Sequence, residues 1–359
     1  MAYHIYETLP FGPVLGSRRP TINEYFLSSY TLGIYHGCEI GCPYCDGWAY
    51  QDRPLNESIR VPTDLPQRLA VELDAVDRGD LIAITAYSDP YQPAEQSYRI
   101  TRQVLQLLAD RGQPCLIQTK SPLILDDISL LRRINEQSVA IVMTTLLTLI
   151  PHLAEQLEGR SPLPRLRLEM LATLKQAGIP VGVTLMPVIP YLNDNPTLIH
   201  SLLRACAEVG VDAVIWDYLH IPTERHATRV AEMAIRINPM PASYYRDLYQ
   251  RRPHVHPTYR STLDSEILKR CDGLGLESRL PQRIYANKLR PANEAALLLK
   301  HAAFRDEVNG RPNMASIHRQ LAEAVYQGTA TNAELQASQL WPTLQKLGIG
   351  SVREPAPRN

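Results

Sequence analysis

The 359-residue chain balances 37 Lys+Arg against 37 Asp+Glu, so its formal net charge is zero. That excludes a whole-molecule field pulling in nucleic acid or an anionic membrane, and leaves only local patches. Hydrophobic residues at 45% and charged residues at 21% suit a chain that buries a core, which excludes global disorder.

The N-terminal MAYHIYETLPFG has no basic region and no long apolar run, so no secretory signal is expected. Near-continuous apolar runs then predict parallel strands at residues 30–35, 81–86, 115–119, 139–145, 181–186 and 213–218. Amphipathic stretches at 65–76, 98–111, 128–134, 166–177 and 195–209 predict helices between them. Gly178 and Pro180 mark a helix stop and a strand start, and Asn195-Pro196 opens the next helix that Gly210 closes. The longest nearly apolar stretch, from Val139 to Ile150, is broken by Thr144, Thr145 and Thr148. It falls short of the roughly 18 residues of a membrane span, so a cytoplasmic protein with no membrane partner is expected.

Six βα units in series predict an α/β protein, a partial (β/α)6 TIM-type barrel with a C-terminal helical appendage. A doubly wound sheet is the competing layout. Polar residues at the strand ends favour the barrel: Cys38, Ser88-Asp89, Lys120, Thr144-Thr145, Asn193-Asp194 and His220 would meet at one mouth. The expected divisions are a lead-in over 1–29, a barrel core over 30–222, a closing region over 223–283 and the appendage over 284–359. Three helices are expected in the appendage, at 293–309, 315–326 and 333–347, before a loose tail.

The six cysteines are unevenly spread: Cys38, Cys42 and Cys45 crowd together, while Cys115, Cys206 and Cys271 lie far apart. A secreted disulfide framework would be shorter and more evenly spaced. Gly37, Gly41 and Pro43 argue against an undistorted helix carrying the first three. A Gly- and Pro-rich loop with three thiols suits a [4Fe–4S] cluster that leaves one iron without a protein ligand. Two rivals remain at this level. Cys42-Pro43-Tyr44-Cys45 is also a glutaredoxin-type dithiol, and a zinc site would have only His36 at hand as fourth ligand.

The spacing CxxxCxxC with Tyr44 before the last cysteine resembles the signature of radical S-adenosylmethionine enzymes. Together with residues 35–45, three further blocks resemble the spore photoproduct lyase-like branch: Tyr87-Ser88-Asp89-Pro90-Tyr91-Gln92-Pro93-Ala94-Glu95, Gln118-Thr119-Lys120-Ser121 and Pro187-Val188-Ile189-Pro190-Tyr191-Leu192-Asn193-Asp194. The resemblance implies a [4Fe–4S] cluster on Cys38, Cys42 and Cys45, with S-adenosylmethionine chelating the open iron. Reductive cleavage would give methionine and a 5′-deoxyadenosyl radical that abstracts hydrogen from a substrate. It places Tyr44, Ser88, Asp89, Lys120, Thr144, Thr145 and Val188 beside that cofactor, with Lys120 or a Thr144/Thr145 hydroxyl on the methionine carboxylate. It also implies a flavodoxin- or ferredoxin-like electron donor.

The chain departs from that branch at two positions. Asp46 follows the third cysteine where many relatives have tyrosine, and Ala86 stands where spore photoproduct lyases carry a cysteine hydrogen donor. Tyr87 is the candidate replacement for that thiol. The substrate is not given by the sequence. A nucleic-acid repair or modification enzyme, reading phosphate through the basic and aromatic stretch 244–260, is the alternative within the same chemistry. A non-catalytic iron–sulfur or zinc scaffold is the alternative outside it.

Overall fold

The computed structural model describes residues 3–7, 12–50, 55–85, 88–239, 242–250 and 252–350. Its strands are β1 (Tyr3–Glu7), β2 (Tyr30–Leu32), β3 (Ser58–Pro62), β4 (Ile82–Ile84), β5 (Cys115–Gln118), β6 (Ala140–Thr145), β7 (Val181–Val188) and β8 (Ala213–Tyr218). Six of them form one sheet in the order β2-β4-β5-β6-β7-β8, every pair parallel. A doubly wound sheet reverses its strand order part-way along. This one never does, so the partial barrel layout stands. Strands β1 and β3 pair separately, also parallel; at five residues each they are too short to stand out by alternation.

Side-chain alternation divides the sheet into two faces. Ile82, Ile84, Cys115, Ile117, Val142, Val183 and Trp216 belong to one buried cluster with Leu105, Leu108, Leu131, Leu174 and Leu203 of the crossover helices. The intervening residues Leu81, Leu116, Ile141, Met143 and Ile215 face the other way. They cluster with Ile22 and Leu27 of the lead-in and with Leu297, Leu299, Leu321 and Leu344 of the C-terminal helices. Helices Pro291–Val308 and Pro312–Gln327 therefore pack on the inner face of the sheet, opposite the crossover helices. Truncating a residue such as Leu116 or Leu299, neither of which is exposed, would cost about 2–5 kcal/mol.

Further along the strands, the same inward positions turn polar: Thr85, Gln118, Thr145 and Asp217 line a cavity at the C-terminal ends. The inner space is thus oily at one end and hydrogen-bonding at the other. The lead-in crosses from edge strand β2 to edge strand β8, where the Tyr25 hydroxyl donates to Asp217 Oδ2 at 3.3 Å. Among the described residues, no helix is long and apolar enough to cross a membrane.

The helix predicted over 333–347 is two helices, Asn332–Ala337 and Trp341–Lys346. Pro342 is the reason, since in a continuous helix its ring would meet the Ser338 carbonyl; Ser338 is extended instead, at φ −76° and ψ 136°.

Candidate active site

The loop after β2 is held in a shape that only glycine allows at two points. Gly37 and Gly41 have φ of +94° and +68°, the region that costs other residues most. A Cβ on Gly37 would lie 2.6 Å from the Ser58 carbonyl oxygen, and one on Gly41 2.7 Å from Asn56 Nδ2. On its other side the loop meets the turn at Glu158–Arg160, where Arg160 N–H donates to the Ile40 carbonyl at 3.1 Å. Trp48 Nε1 donates to the Cys42 carbonyl at 2.9 Å, and His226 Nε2 lies 3.0 Å from the Tyr44 carbonyl. No helix runs through residues 37–46, so the three cysteines are not a helical stripe.

Cys38, Cys42 and Cys45 line one cavity of about 510 Å³ together with Tyr44, Ser88, Asp89, Lys120, Thr145 and His220. Burial pushes the Cys38 and Cys45 thiols up to about 12. Burial raises Cys42 as well, opposed by the Lys120 ammonium, whose Nζ is 3.7 Å from its sulfur. Three such thiols become thiolates only when a cation compensates them.

Lys120 is anchored at both ends. Its backbone N–H donates to Asp89 Oδ2 at 2.8 Å, and its Nζ sits 3.9 Å from Glu158 Oε1. Burial works against the ammonium, but Cys42 and Glu158 outweigh it and hold Lys120 above the ordinary lysine range. Glu158 is in turn bonded by Arg167, at 2.9 Å and 2.5 Å, with neither side chain exposed. The Tyr44 hydroxyl reaches the same carboxylate at 3.4 Å. Sequence reasoning missed Glu158 and Arg167. The available signal was an arginine on a buried stripe with Met170, Leu171 and Leu174.

Several predicted cofactor residues sit differently from expectation. The Asp89 carboxylate already accepts from Tyr91 N–H (2.9 Å), Thr119 Oγ1 (2.6 Å) and Lys120 N–H, so it ties the strand ends together. Ser88 faces the cavity beside it. Thr145 also faces the cavity, its hydroxyl within 3.3 Å of Gln118 Nε2 and 3.2 Å of Thr184 Oγ1. Thr144 does not line the cavity; alternation along β6 puts it on the opposite face, where its buried hydroxyl has no partner among the described residues. Val188 is likewise absent from the cavity wall and joins the crossover-helix cluster instead. The register shift between Leu185 and Val188 reverses its side, and Met186 and Pro187 line the cavity in its place. Tyr87 and Ala86 lie outside the described residues.

The rival ligand sets fare poorly. His36 Nδ1 is 3.1 Å from an Arg60 guanidinium nitrogen, and His36 does not line the cavity. Asp46, just after the third cysteine, lies 3.5 Å from His220, and His220 stacks on His254 with ring centroids 4.6 Å apart. In the stretch 244–260, the Tyr245 and Tyr249 hydroxyls donate to the Pro190 and Leu219 carbonyls, at 2.8 and 2.9 Å. Tyr259 donates to Asp194 Oδ2 at 2.6 Å. These rings bind the strand-end loops and are not a display of stacking surfaces.

The sequence pattern of the radical SAM superfamily matches residues 32–202. An uncharacterized protein of Mycobacterium tuberculosis is 30% identical over 251 residues, covering 66% of this chain and 72% of the relative. The chain belongs to the radical SAM superfamily. An uncharacterized protein of Acidianus two-tailed virus is 28% identical over 218 residues, 55% of this chain and 70% of its own. Spore photoproduct lyase complexed with dinucleoside spore photoproduct shares the fold, with TM-score 0.58 at 11% identity over 76% of this chain and 79% of that one. A spore photoproduct lyase mutant with bound AdoMet and the same dinucleoside aligns at TM-score 0.54 and 13% identity, over 72% and 77%.

A radical SAM enzyme works with a [4Fe–4S] cluster and S-adenosylmethionine, and it needs a reductant and a substrate. The residues at the mouth fit that demand. They offer three thiols in one cavity, the number that leaves one iron of a [4Fe–4S] cluster without a cysteine ligand. They also offer one ammonium, Lys120, in the same cavity, suited to a carboxylate taken out of water.

Proposed function

We propose that Cys38, Cys42 and Cys45 ligate the cluster, and that the cavity beside them seats S-adenosylmethionine against the open iron. The observation that carries this reading is the convergence of three thiols, Lys120 and Ser88 on one cavity at the strand ends. When bound, the cluster and S-adenosylmethionine supply a 5′-deoxyadenosyl radical that takes hydrogen from a substrate. The chain's own side chains do the rest. Lys120 holds the methionine carboxylate, Ser88 accepts from the amino group, and Tyr44 closes the wall beside the cluster loop. Gln118 and Thr145 present hydrogen bonds from the inner floor.

The substrate group would be received between Arg19, Asn23 and Asp217, which line the same cavity. Arg260 Nη1 lies 3.1 Å from Asp217 Oδ1 and holds that carboxylate in place. A substrate with polar, hydrogen-bonding groups fits this floor better than an apolar one. Residues 30–222 form the reacting core, and the helices of the segment 284–350 close its inner end. The test is anaerobic reconstitution followed by metal analysis and detection of 5′-deoxyadenosine. About four irons per chain are expected, and they should be lost in Cys38→Ala, Cys42→Ala and Cys45→Ala. Loss should not follow Cys115→Ala, Cys206→Ala or Cys271→Ala. Stoichiometric zinc without iron uptake overturns the reading.

A further inference from the structure

Gln92 is fully buried, yet its amide is committed to the backbone on both sides of Cys38. Its Oε1 accepts from the Glu39 N–H at 2.8 Å, and its Nε2 donates to the Gly37 carbonyl at 3.2 Å. Glu39 doubles the connection, because its Oε2 accepts from the Ala94 N–H at 2.8 Å and its Oε1 lies 3.2 Å from His4 Nε2. Gln92 is itself fixed: its N–H donates to the Asp89 carbonyl at 3.2 Å, and its carbonyl accepts from Glu95 N–H at 2.9 Å.

The loop needs such help. Gly37 and Gly41 bring large backbone freedom to the segment that carries the cysteines, and a loop with freedom spreads its thiols over many arrangements. An amide side chain offers a donor and an acceptor in one rigid plane, so a single glutamine can bridge a carbonyl and an N–H on either side of one residue. Cys42 is held from elsewhere, by Trp48 Nε1 on its carbonyl and by the turn in which Cys45 N–H donates to it at 3.1 Å. Cys38 depends on the Gln92 bridge and on one bond from its own N–H to the Leu55 carbonyl, at 2.7 Å.

We propose that Gln92 is the positioning residue for Cys38: it fixes the backbone on either side of that thiol before any metal arrives. The proposal rests on the reading that Cys38 is a cluster ligand, and the experiment separates the two. Metal-free protein is treated with iodoacetamide, and each cysteine is followed by peptide mass spectrometry. Cys115, Cys206 and Cys271, all buried elsewhere, report global opening in the same sample. Gln92→Met keeps the side-chain length and removes both bonds. A lost hydrogen bond of ordinary net strength shifts a local opening equilibrium about fivefold. Cys38 alkylation should therefore rise about tenfold or more, with the three reporters unchanged. Gln92→Glu keeps an acceptor for the Glu39 N–H and should give a smaller rise confined to Cys38. An unchanged Cys38 rate in Gln92→Met overturns the proposal. If Gln92→Met exposes all six thiols alike, Gln92→Glu decides: a rise at Cys38 alone supports the role, and a uniform or absent rise overturns it. Iron uptake by the unaltered protein tests the ligand reading independently, because the alkylation arm contains no metal.

Discussion

The Arg167 guanidinium bonds both oxygens of the Glu158 carboxylate, and neither side chain has any exposed surface. The Glu158 backbone carbonyl lies 3.5 Å from Cys42 Sγ, so this ion pair is the floor on which the second cysteine rests. Arg167 is further held by the Thr145 and Pro162 carbonyls, at 2.7 and 2.8 Å, which satisfies the donors that burial would otherwise strand.

Removing one member of such a pair leaves the other charge buried and alone, a change that costs about 3–5 kcal/mol. Arg167→Met should therefore destabilise the metal-free protein by that order, read as a lowered urea midpoint. Glu158→Gln should cost a similar amount, because Arg167 then lacks a counter-charge. The double variant Glu158→Gln/Arg167→Met should recover part of the loss. Additive costs in the double-variant cycle would show that the two side chains are not coupled.

Lys120 yields a separate expectation, because its Nζ faces both Cys42 and the open cavity. Lys120→Ala should leave iron content near that of the unaltered protein and weaken S-adenosylmethionine binding about tenfold or more, the loss of one charge-assisted contact. Lys120→Arg should restore only part of it, since a planar fork does not replace a point charge in the same space. Equilibrium binding by calorimetry on the reconstituted protein reads this directly. Unchanged affinity in Lys120→Ala would place the carboxylate on another partner.

Strand positions were legible because strands covered on both faces read as continuous apolar runs, and all six appear in the order expected. The cysteine loop was legible because its residue types and spacing are chemically restrictive. What surrounds the loop was not. Gln92 meets Glu39 across 53 positions and Glu158 meets Tyr44 across 114, pairings that no local pattern encodes. Thr144 and Thr145 were indistinguishable as strand-end hydroxyls until alternation along β6 assigned one to each face. Val188 was misplaced because an irregularity in β7 reverses side-chain direction; the signal for it was Pro187, which has no N–H to give the ladder of a central strand.

The inner helices bring a pH dependence of their own. His301 is lowered to about 3, first by burial and then by the neighbouring Arg279 guanidinium, while a backbone bond at Glu24 pulls the other way. An unfolded histidine takes up its proton near pH 6.5. Between those values the unfolded chain binds a proton that the folded chain refuses, so stability falls as pH falls from about 6.5 toward 3. His301→Gln removes this contribution. Urea midpoints at pH 7 and pH 4.5 should therefore drop less in the variant than in the unaltered protein. An equal drop in both would show that His301 is protonated in the folded state.

The two adjacent threonines of β6 predict opposite outcomes for the same substitution. The Thr144 hydroxyl is buried with no hydrogen-bond partner among the described residues, so it carries a desolvation cost with no return. Thr144→Val replaces it with a methyl of nearly the same shape and should stabilise the protein by about 1 kcal/mol, leaving cofactor binding unchanged. The Thr145 hydroxyl lies within hydrogen-bond distance of Gln118 Nε2 and Thr184 Oγ1 and faces the cavity. Thr145→Val strips a partner from both neighbours, should cost about 1–2 kcal/mol, and should weaken binding in the cavity by freeing the Gln118 amide. Thermal melts of the metal-free variants, paired with S-adenosylmethionine titrations of the reconstituted ones, separate the two residues. A stabilised Thr145→Val together with a binding defect in Thr144→Val would invert the assignment of faces and place the cofactor on the crossover-helix side of β6.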